Sequence, residues 1–204
     1  MKLLNIYMPV FTFVIDVSRD NASSMHYEEF HQQCILRLEQ AATAAEQIEC
    51  TDRERDEAFF AVVFWLDEFV MRSSLPFILQ WRTELLQVRF FQTTNGGQDF
   101  FQRLDNIDDD YPLARYVYLF CLQHGFQGQY AGENSPHLQN IINQLRFLCL
   151  PEAWDRWPNN AMLVGIANHQ HKSGRFEKYG QRWRLLSLVL MYPLALLMLF
   201  LYIR

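Results

Sequence analysis

Two adjacent carboxylates, Asp67 and Glu68, stand inside the apolar run FFAVVFWLDEFVM, which covers residues 59–71. A carboxylate is seldom fully buried unless it is paired, and an isolated buried ion usually becomes neutral. The two acids could form a catalytic pair, but on a helix they point about 100° apart. Catalysis would also need a cleft and a partner held in place, and the sequence displays neither. The pattern favours a structural or partner-contact role.

The two acids have different neighbours on the predicted helix. Glu68 lies four residues before Arg72, a spacing that predicts an ion pair on the solvent-facing side. Asp67 lies on a more apolar side. We expect Asp67 to accept structural hydrogen bonds, either from backbone amides of the turn at residues 95–97 or from an indole N–H.

Other polar clusters are weaker candidates for chemistry. His169 and His171 form an H-x-H pair without a third ligand at a clear spacing, so a polar linker explains them better than a metal site. Asp108, Asp109 and Asp110 lack the alternation and closing Glu of a calcium loop. They form either a solvated loop or a docking loop for a basic partner. We predict no catalytic residue, metal or cofactor.

Composition places the chain among globular proteins. It has 204 residues, of which 50% are hydrophobic and 15% aromatic, enough for one domain with a substantial core. A net charge of −5 argues against a nucleic-acid-binding domain. There is no C-x-x-C motif, so the four cysteines indicate buried thiols in a reducing compartment. They are Cys34, Cys50, Cys121 and Cys149.

Apolar periodicity predicts an all-α fold with six or seven helices. The first, at residues 3–17, resembles a signal peptide, but Asn5, Asp16 and the lack of a cleavage site favour a core helix, bent or broken near Pro9. A later helix begins at Thr51 or Asp52 and contains the two acids. The other predicted helices cover residues 25–48, 78–91, 98–104, 113–124 and 136–150, with Gly96 and Gly97 breaking the chain between two of them.

The C-terminal segment predicts a membrane anchor. From Leu185 to Ile203 the chain has no charged residue, and as a helix this segment would be about 28 Å long, close to the thickness of a bilayer core. Trp183 and Tyr202 stand at its ends, where interfacial aromatics belong. Pro193 lies in the middle, which membrane helices tolerate. The alternative is a buried core helix.

Charge around this segment sets its orientation. Basic residues are concentrated at 172–184, before the anchor, and only Arg204 follows it. The positive-inside rule then places the preceding domain in the cytoplasm. We therefore expect a cytoplasmic helical domain at 1–171, a basic linker at 172–184 and a tail anchor at 185–203.

Several short motifs, in a fixed order, resemble the DotU/TssL family of type VI secretion and its IcmH/DotU relatives of type IVB secretion. These are L-D-E at 66–68, G-G-Q-D-F-F at 96–101, Y-L-F-C-L-Q-H-G-F-Q-G-Q-Y at 118–130 and the terminal anchor. Gln98 and Gln129 depart from the charged residues usual in the family. The resemblance marks these residues as partner-binding or structural: Asp67, Glu68, Trp81, Gly96, Gly97, Phe100, Phe101, Gly125, Phe126, Gly128 and Tyr130.

The resemblance implies a non-enzymatic scaffold of the bacterial inner membrane. Its cytoplasmic part would form two small bundles in a hook-like shape. It would assemble with an IcmF/TssM-like membrane protein, a TssJ-like lipoprotein complex and further copies of itself, and would dock TssK-like and other baseplate proteins. Because the chain stops at Arg204, we expect no cell-wall-binding domain. On this reading, Asp67 fixes its helix against Gly96 and Gly97, and Glu68 faces a cleft used by partners.

Two other functions stay open. One is a membrane-anchored helical enzyme or small-molecule-binding domain, with Asp67, Glu68 and His124 in an acidic pocket between helices. The other is a regulatory adaptor that uses the anchor only for localisation. An enzyme or binding domain should show a deep pocket containing those three side chains, whereas a scaffold should show exposed surfaces without such a convergent site.

Overall fold

Helices account for all regular structure in the part of the chain that the computed structural model describes, which is residues 2–19, 25–107, 111–132 and 135–150. They are α1 (Lys2–Arg19), α2 (Tyr27–Ala45), α3 (Asp52–Arg72), α4 (Ile78–Trp81), α5 (Leu86–Phe91), α6 (Gly96–Asp105), α7 (Pro112–Gln123) and α8 (Pro136–Cys149), with a short 3₁₀ turn at Gly128–Tyr130. The predicted all-α fold is confirmed. Six of these helices have at least ten residues, and α4 and α5 are short.

The central helix is α3, which packs against α1, α2, α4, α5, α6 and α7. It begins where predicted, because the Thr51 hydroxyl accepts a hydrogen bond from the Glu54 amide at 3.1 Å. Its middle is buried on every side, including Phe60, Trp65 and Leu66. Among the described residues, the buried apolar side chains of these helices form one continuous core.

The first helix is a core helix, as the sequence predicted. Tyr7 and Phe11 lie on its buried face. Of the bend or break expected near Pro9, the break is wrong, since α1 continues through that residue. Pro9 and Asn5, whose carbonyl loses its intrahelical donor, are both exposed to solvent. Water can therefore satisfy that carbonyl, and the proline is tolerated.

The region between residues 78 and 97 differs from the prediction. The single helix expected at 78–91 is two helices, α4 and α5, separated by residues 82–85. Gly96 and Gly97 do not break the chain, because they form the first turn of α6. The left-handed residue in this region is Gln92, with φ of 55°, directly after α5.

The cysteine prediction holds for three residues. Cys34, Cys121 and Cys149 are buried thiols, whereas Cys50 is only half-buried, and none of the four forms a disulfide.

The predicted anchor lies outside the described residues, together with the basic linker, Trp183, Leu185, Pro193 and Ile203. No helix in the described ranges is both long and apolar enough to cross a membrane. The described residues all belong to one compact unit, Met1–Ile166.

Candidate functional site

Asp67 holds two other parts of the chain against α3. Its side chain has no solvent exposure. One carboxylate oxygen accepts hydrogen bonds from the Trp81 indole N–H at 2.9 Å and the Leu86 amide at 3.1 Å, and the other accepts from the Gln87 amide at 2.8 Å. The carboxylate therefore caps the N-terminal end of α5 and fixes the position of the last residue of α4. The predicted indole donor is confirmed, but the amide donors lie at 86 and 87 and not at 95–97.

Burial makes the charged form of Asp67 less favourable than it would be in water. Burial raises the pKa of its carboxyl to about 6, and the hydrogen bonds from Gln87, Leu86 and Trp81 lower the pKa against that effect. A buried acid with a raised pKa can be a catalytic group. Here both oxygens face backbone or indole donors, so the geometry supports a structural role.

Glu68 performs the same task for a different segment. Its two oxygens accept hydrogen bonds from the backbone amides of Gln127 and Gly128, each at 2.8 Å. The predicted ion pair with Arg72 is confirmed at 3.1 Å, and Arg72 also donates to the Gly125 carbonyl at 2.7 Å. The solvent-facing position predicted for Glu68 is wrong, since its side chain is only 15% exposed.

The glycines of the two motifs are in direct backbone contact. A Cβ atom on Gly128 would lie 2.6 Å from the Gly97 carbonyl oxygen, and Gly128 has φ of +50°. A Cβ atom on Gly97 would in turn lie 2.9 Å from the Gly128 carbonyl carbon. Only glycine allows this approach without a shift of the backbone. Gly96 is equally enclosed, by Phe64 and Gln87.

Aromatic rings continue the contact between the motifs. The ring centroids of Phe100 and Phe126 are 4.0 Å apart. Those of Phe101 and Tyr130 are 4.8 Å apart, and these two rings meet edge to face. Ring pairs of this kind add stability beyond the area that they bury. The motif residues on α6 and at 125–130 therefore converge beside the C-terminal half of α3.

A third acid on α3 was not identified from the sequence as a cross-helix cap. Glu54 is buried, and one of its oxygens accepts hydrogen bonds from the amides of Leu113 and Ala114, at 2.6 and 3.2 Å. Glu54 therefore caps the N-terminal end of α7, just as Asp67 caps the N-terminal end of α5. The sequence marks Glu54 only as an acid in the first turn of its own helix, because its partner lies 59 residues away.

His124 is brought close to this region but does not join the two acids in an open pocket. It is buried, its ring stacks on Phe120 at 3.8 Å, and its Nδ1 lies 2.8 Å from the Phe120 carbonyl oxygen. Burial lowers the pKa of His124, which favours the neutral ring. In the described ranges, no three His, Cys, Asp or Glu side chains are grouped so that they could hold a metal ion. The predicted docking loop, Asp108, Asp109 and Asp110, lies outside those ranges.

Comparisons with known proteins agree with this architecture. The family model for "Type VI secretion system protein DotU" matches residues 2–204. The fold is similar to the cytoplasmic domain of TssL from Acinetobacter baumannii, with a TM-score of 0.65 and 20% identity, over 72% of this chain and 96% of that one. It is also similar to SciP/TssL from enteroaggregative Escherichia coli 042, with a TM-score of 0.60 and 20% identity, over 71% and 86% of the two chains. No curated protein matches the chain.

At 20% identity the solved structures establish the fold alone. The family match covers nearly the whole length and includes every motif residue described above. The chain therefore belongs to the DotU family of type VI secretion system proteins.

Proposed function

We propose that the protein is a non-enzymatic scaffold of a type VI secretion system, held in the bacterial inner membrane by residues 185–203. In this role it assembles with an IcmF/TssM-like membrane protein and, through it, with a TssJ-like lipoprotein complex. Its helical domain docks TssK-like and other baseplate proteins on the cytoplasmic side. Further copies of the chain take part in the same assembly.

The observation that carries this proposal is the family match over residues 2–204, which extends through the uncharged C-terminal segment. The structure adds support from the chemistry of the motif. Asp67 and Glu68 direct their oxygens to the backbone amides of neighbouring segments. An enzyme would need those groups directed at a substrate. Acids that stabilise the fold in this way suit a scaffold, which functions by binding partners at its surface.

The test is co-purification from native membranes. The full chain, with an N-terminal tag, is extracted in a mild detergent and isolated, and its companions are identified by mass spectrometry. We expect a large IcmF/TssM-like protein in a fixed proportion, and baseplate proteins at lower occupancy. The matched control is the same chain ending at residue 184, which keeps the helical domain and lacks the proposed anchor.

Two outcomes would contradict the proposal. The anchor is refuted if the control stays in the membrane fraction as firmly as the full chain. Recovery of a correctly inserted full chain without any secretion component would refute the scaffold role and favour the adaptor or the ligand-binding alternative.

A further inference from the structure

The C-terminal end of α8 carries two adjacent large apolar side chains on its solvent side. Phe147 is 74% exposed and Leu148 is 57% exposed. The helix packs against α7, and its buried residues include Leu145 and Cys149. Successive helical residues point about 100° apart, so Phe147 faces almost directly away from those two buried positions. We call Phe147 and Leu148 the α8 end patch.

The other exposed apolar side chains are distributed differently. In the described ranges, the other large apolar residues with high exposure are Leu36, Leu79 and Val88, on α2, α4 and α5 respectively. Apolar residues scattered singly over a surface are normal and need no occupant. The α8 end patch is therefore the better candidate for a surface that another part of a molecule covers.

The chain leaves the axis of α8 directly after this patch. Leu150 has an extended backbone, with φ of −101° and ψ of 143°. The next residue is Pro151. A proline has no amide hydrogen and disfavours the helical conformation in the residue before it, so the helix cannot simply continue.

The residues that follow can supply an apolar cover. Residues 151–164 include Trp154 and Trp157, and they end with Met162, Leu163 and Val164. Aromatic side chains bury roughly 150–250 Å² each when they pack, so two tryptophans in one short segment favour contact with an apolar surface.

The distance is short enough for this contact. An extended chain advances at most about 3.3–3.6 Å per residue, so the four residues from Leu150 to Trp154 can span roughly 13 Å. Phe147 lies about 5 Å back along the helix axis, and elements packed side by side lie about 8–10 Å apart. These displacements combine to roughly 10 Å, so Trp154 can reach Phe147 after one reversal of the chain.

Entropy favours this segment over other occupants of the patch. A second molecule would lose translational and rotational freedom on binding. A segment that begins three residues after Leu148 loses only the entropy of closing a short loop. A small patch of two side chains can offset the second cost more readily than the first.

We propose that residues 151–164 fold back over α8 and cover the α8 end patch, with Trp154 packed on Phe147. The folded domain then extends to residue 164, and residues 165–184 alone connect it to the anchor. A shorter connection keeps the helical domain closer to the membrane. This last consequence rests on the proposed function, whereas the contact between Trp154 and Phe147 does not.

The test is fluorine NMR of the full chain in detergent micelles, labelled with 5-fluorotryptophan. The signal of Trp154 is assigned by replacing that residue with Phe. We expect this signal to be displaced from its position in the urea-denatured chain. We also expect its shift between H₂O and D₂O, which measures solvent exposure, to be smaller than in the denatured chain.

Variants of the patch assign the effect to α8. Phe147→Gln changes an exposed side chain, so the fold should persist, and most of the displacement of the Trp154 signal should be lost. The signals of the buried Trp65 and Trp81 should stay in place. Leu79→Gln is the matched control, because Leu79 is 77% exposed on α4, and its variant should leave the Trp154 signal unchanged.

Four results would overturn the proposal. A Trp154 signal at the denatured position in the wild type would show that the segment does not pack. A displaced signal that neither Phe147→Gln nor Leu148→Gln alters would show that it packs elsewhere. Displacement that grows with protein concentration would assign the patch to a second copy, and broadening by a spin-labelled lipid would assign it to the bilayer. None of these results bears on the co-purification of secretion components, so the two proposals can fail separately.

Discussion

Asp67 and Glu68 are adjacent in the sequence and perform the same task in different surroundings. Asp67 has no solvent exposure and no cationic partner among its hydrogen bonds, which come from the backbone of α5 and the Trp81 indole. Glu68 is 15% exposed, pairs with Arg72 and binds a turn about 60 residues away. The difference shows that two neighbouring acids need not form one site, because each can fix a separate segment to the same helix.

The contrast also separates the energetic roles of the two residues. Removing a buried acceptor leaves its donors unsatisfied in a region without water. Removing a partly exposed acceptor lets solvent take its place at a lower cost. The energetic consequences should therefore follow burial more closely than the number of hydrogen bonds.

The largest effect is expected for Asp67→Ala. It leaves two backbone amides and one indole N–H without an acceptor, and a loss of about 3–5 kcal/mol in the free energy of unfolding should result. Urea denaturation of the full chain in detergent, followed by circular dichroism, measures it. Asp16→Ala changes an exposed acid on α1 and should shift stability by no more than about 0.5 kcal/mol. Similar small losses in both variants would show that Asp67 does not stabilise the fold.

A second prediction concerns pH. Burial raises the pKa of Asp67 from 3.8 to about 6, so between these values the folded chain binds more protons than the unfolded chain. Stability contributed by this group is therefore present below about pH 4 and is lost as the pH rises through about 6. The loss should be at most about 3 kcal/mol.

This effect is measured as a difference, so that other titrating groups cancel. Unfolding free energies of the wild type and of Asp67→Asn are compared from about pH 4 to pH 7. The wild type should lose stability relative to the variant as the pH rises to about 6, and the difference should then level off. A constant difference over this range would show that the carboxyl has no raised pKa in the folded chain.

The sequence was informative where local rules decide structure. The cap and the Glu68–Arg72 pair depend on spacings of three and four residues: the sequence offered Thr51 or Asp52 as the cap, of which the structure has Thr51, and it predicted the ion pair correctly. The separation of α4 from α5 was not predicted. The N-terminal end of α5 is capped by Asp67, which lies 19 and 20 residues from the amides that it binds. The role of Glu54 was missed for the same reason, since it caps a helix 59 residues away. Spacing along one helix does not reveal contacts of that range.

The glycines illustrate the same limit in a different way. The sequence suggested that Gly96 and Gly97 break the chain, since glycine permits unusual backbone angles. In the structure they are helical, and what requires glycine is the close approach of the Gly128 backbone and the Gln87 side chain. Close approach between segments depends on tertiary packing, which the composition of a short motif does not specify.

The smallest of these effects is expected for Glu68→Gln, which keeps the shape of the side chain. The amide oxygen can accept from one of the Gln127 and Gly128 amides, whereas the amide nitrogen faces the other as a second donor, and the charge opposite Arg72 is lost. We expect a loss of about 1–2 kcal/mol, since partial exposure lets water satisfy the remaining amide. Urea denaturation under the conditions used for Asp67→Ala gives the comparison directly. Arg72→Ala removes the ion pair, worth at most about 1 kcal/mol, together with the hydrogen bond to the Gly125 carbonyl, so its loss is the upper limit for the contribution of the ion pair. A loss as large as that of Asp67→Ala would mean that burial does not separate the two acids, and that the turn at 125–128 contributes as much to the stability of the fold as α5 does.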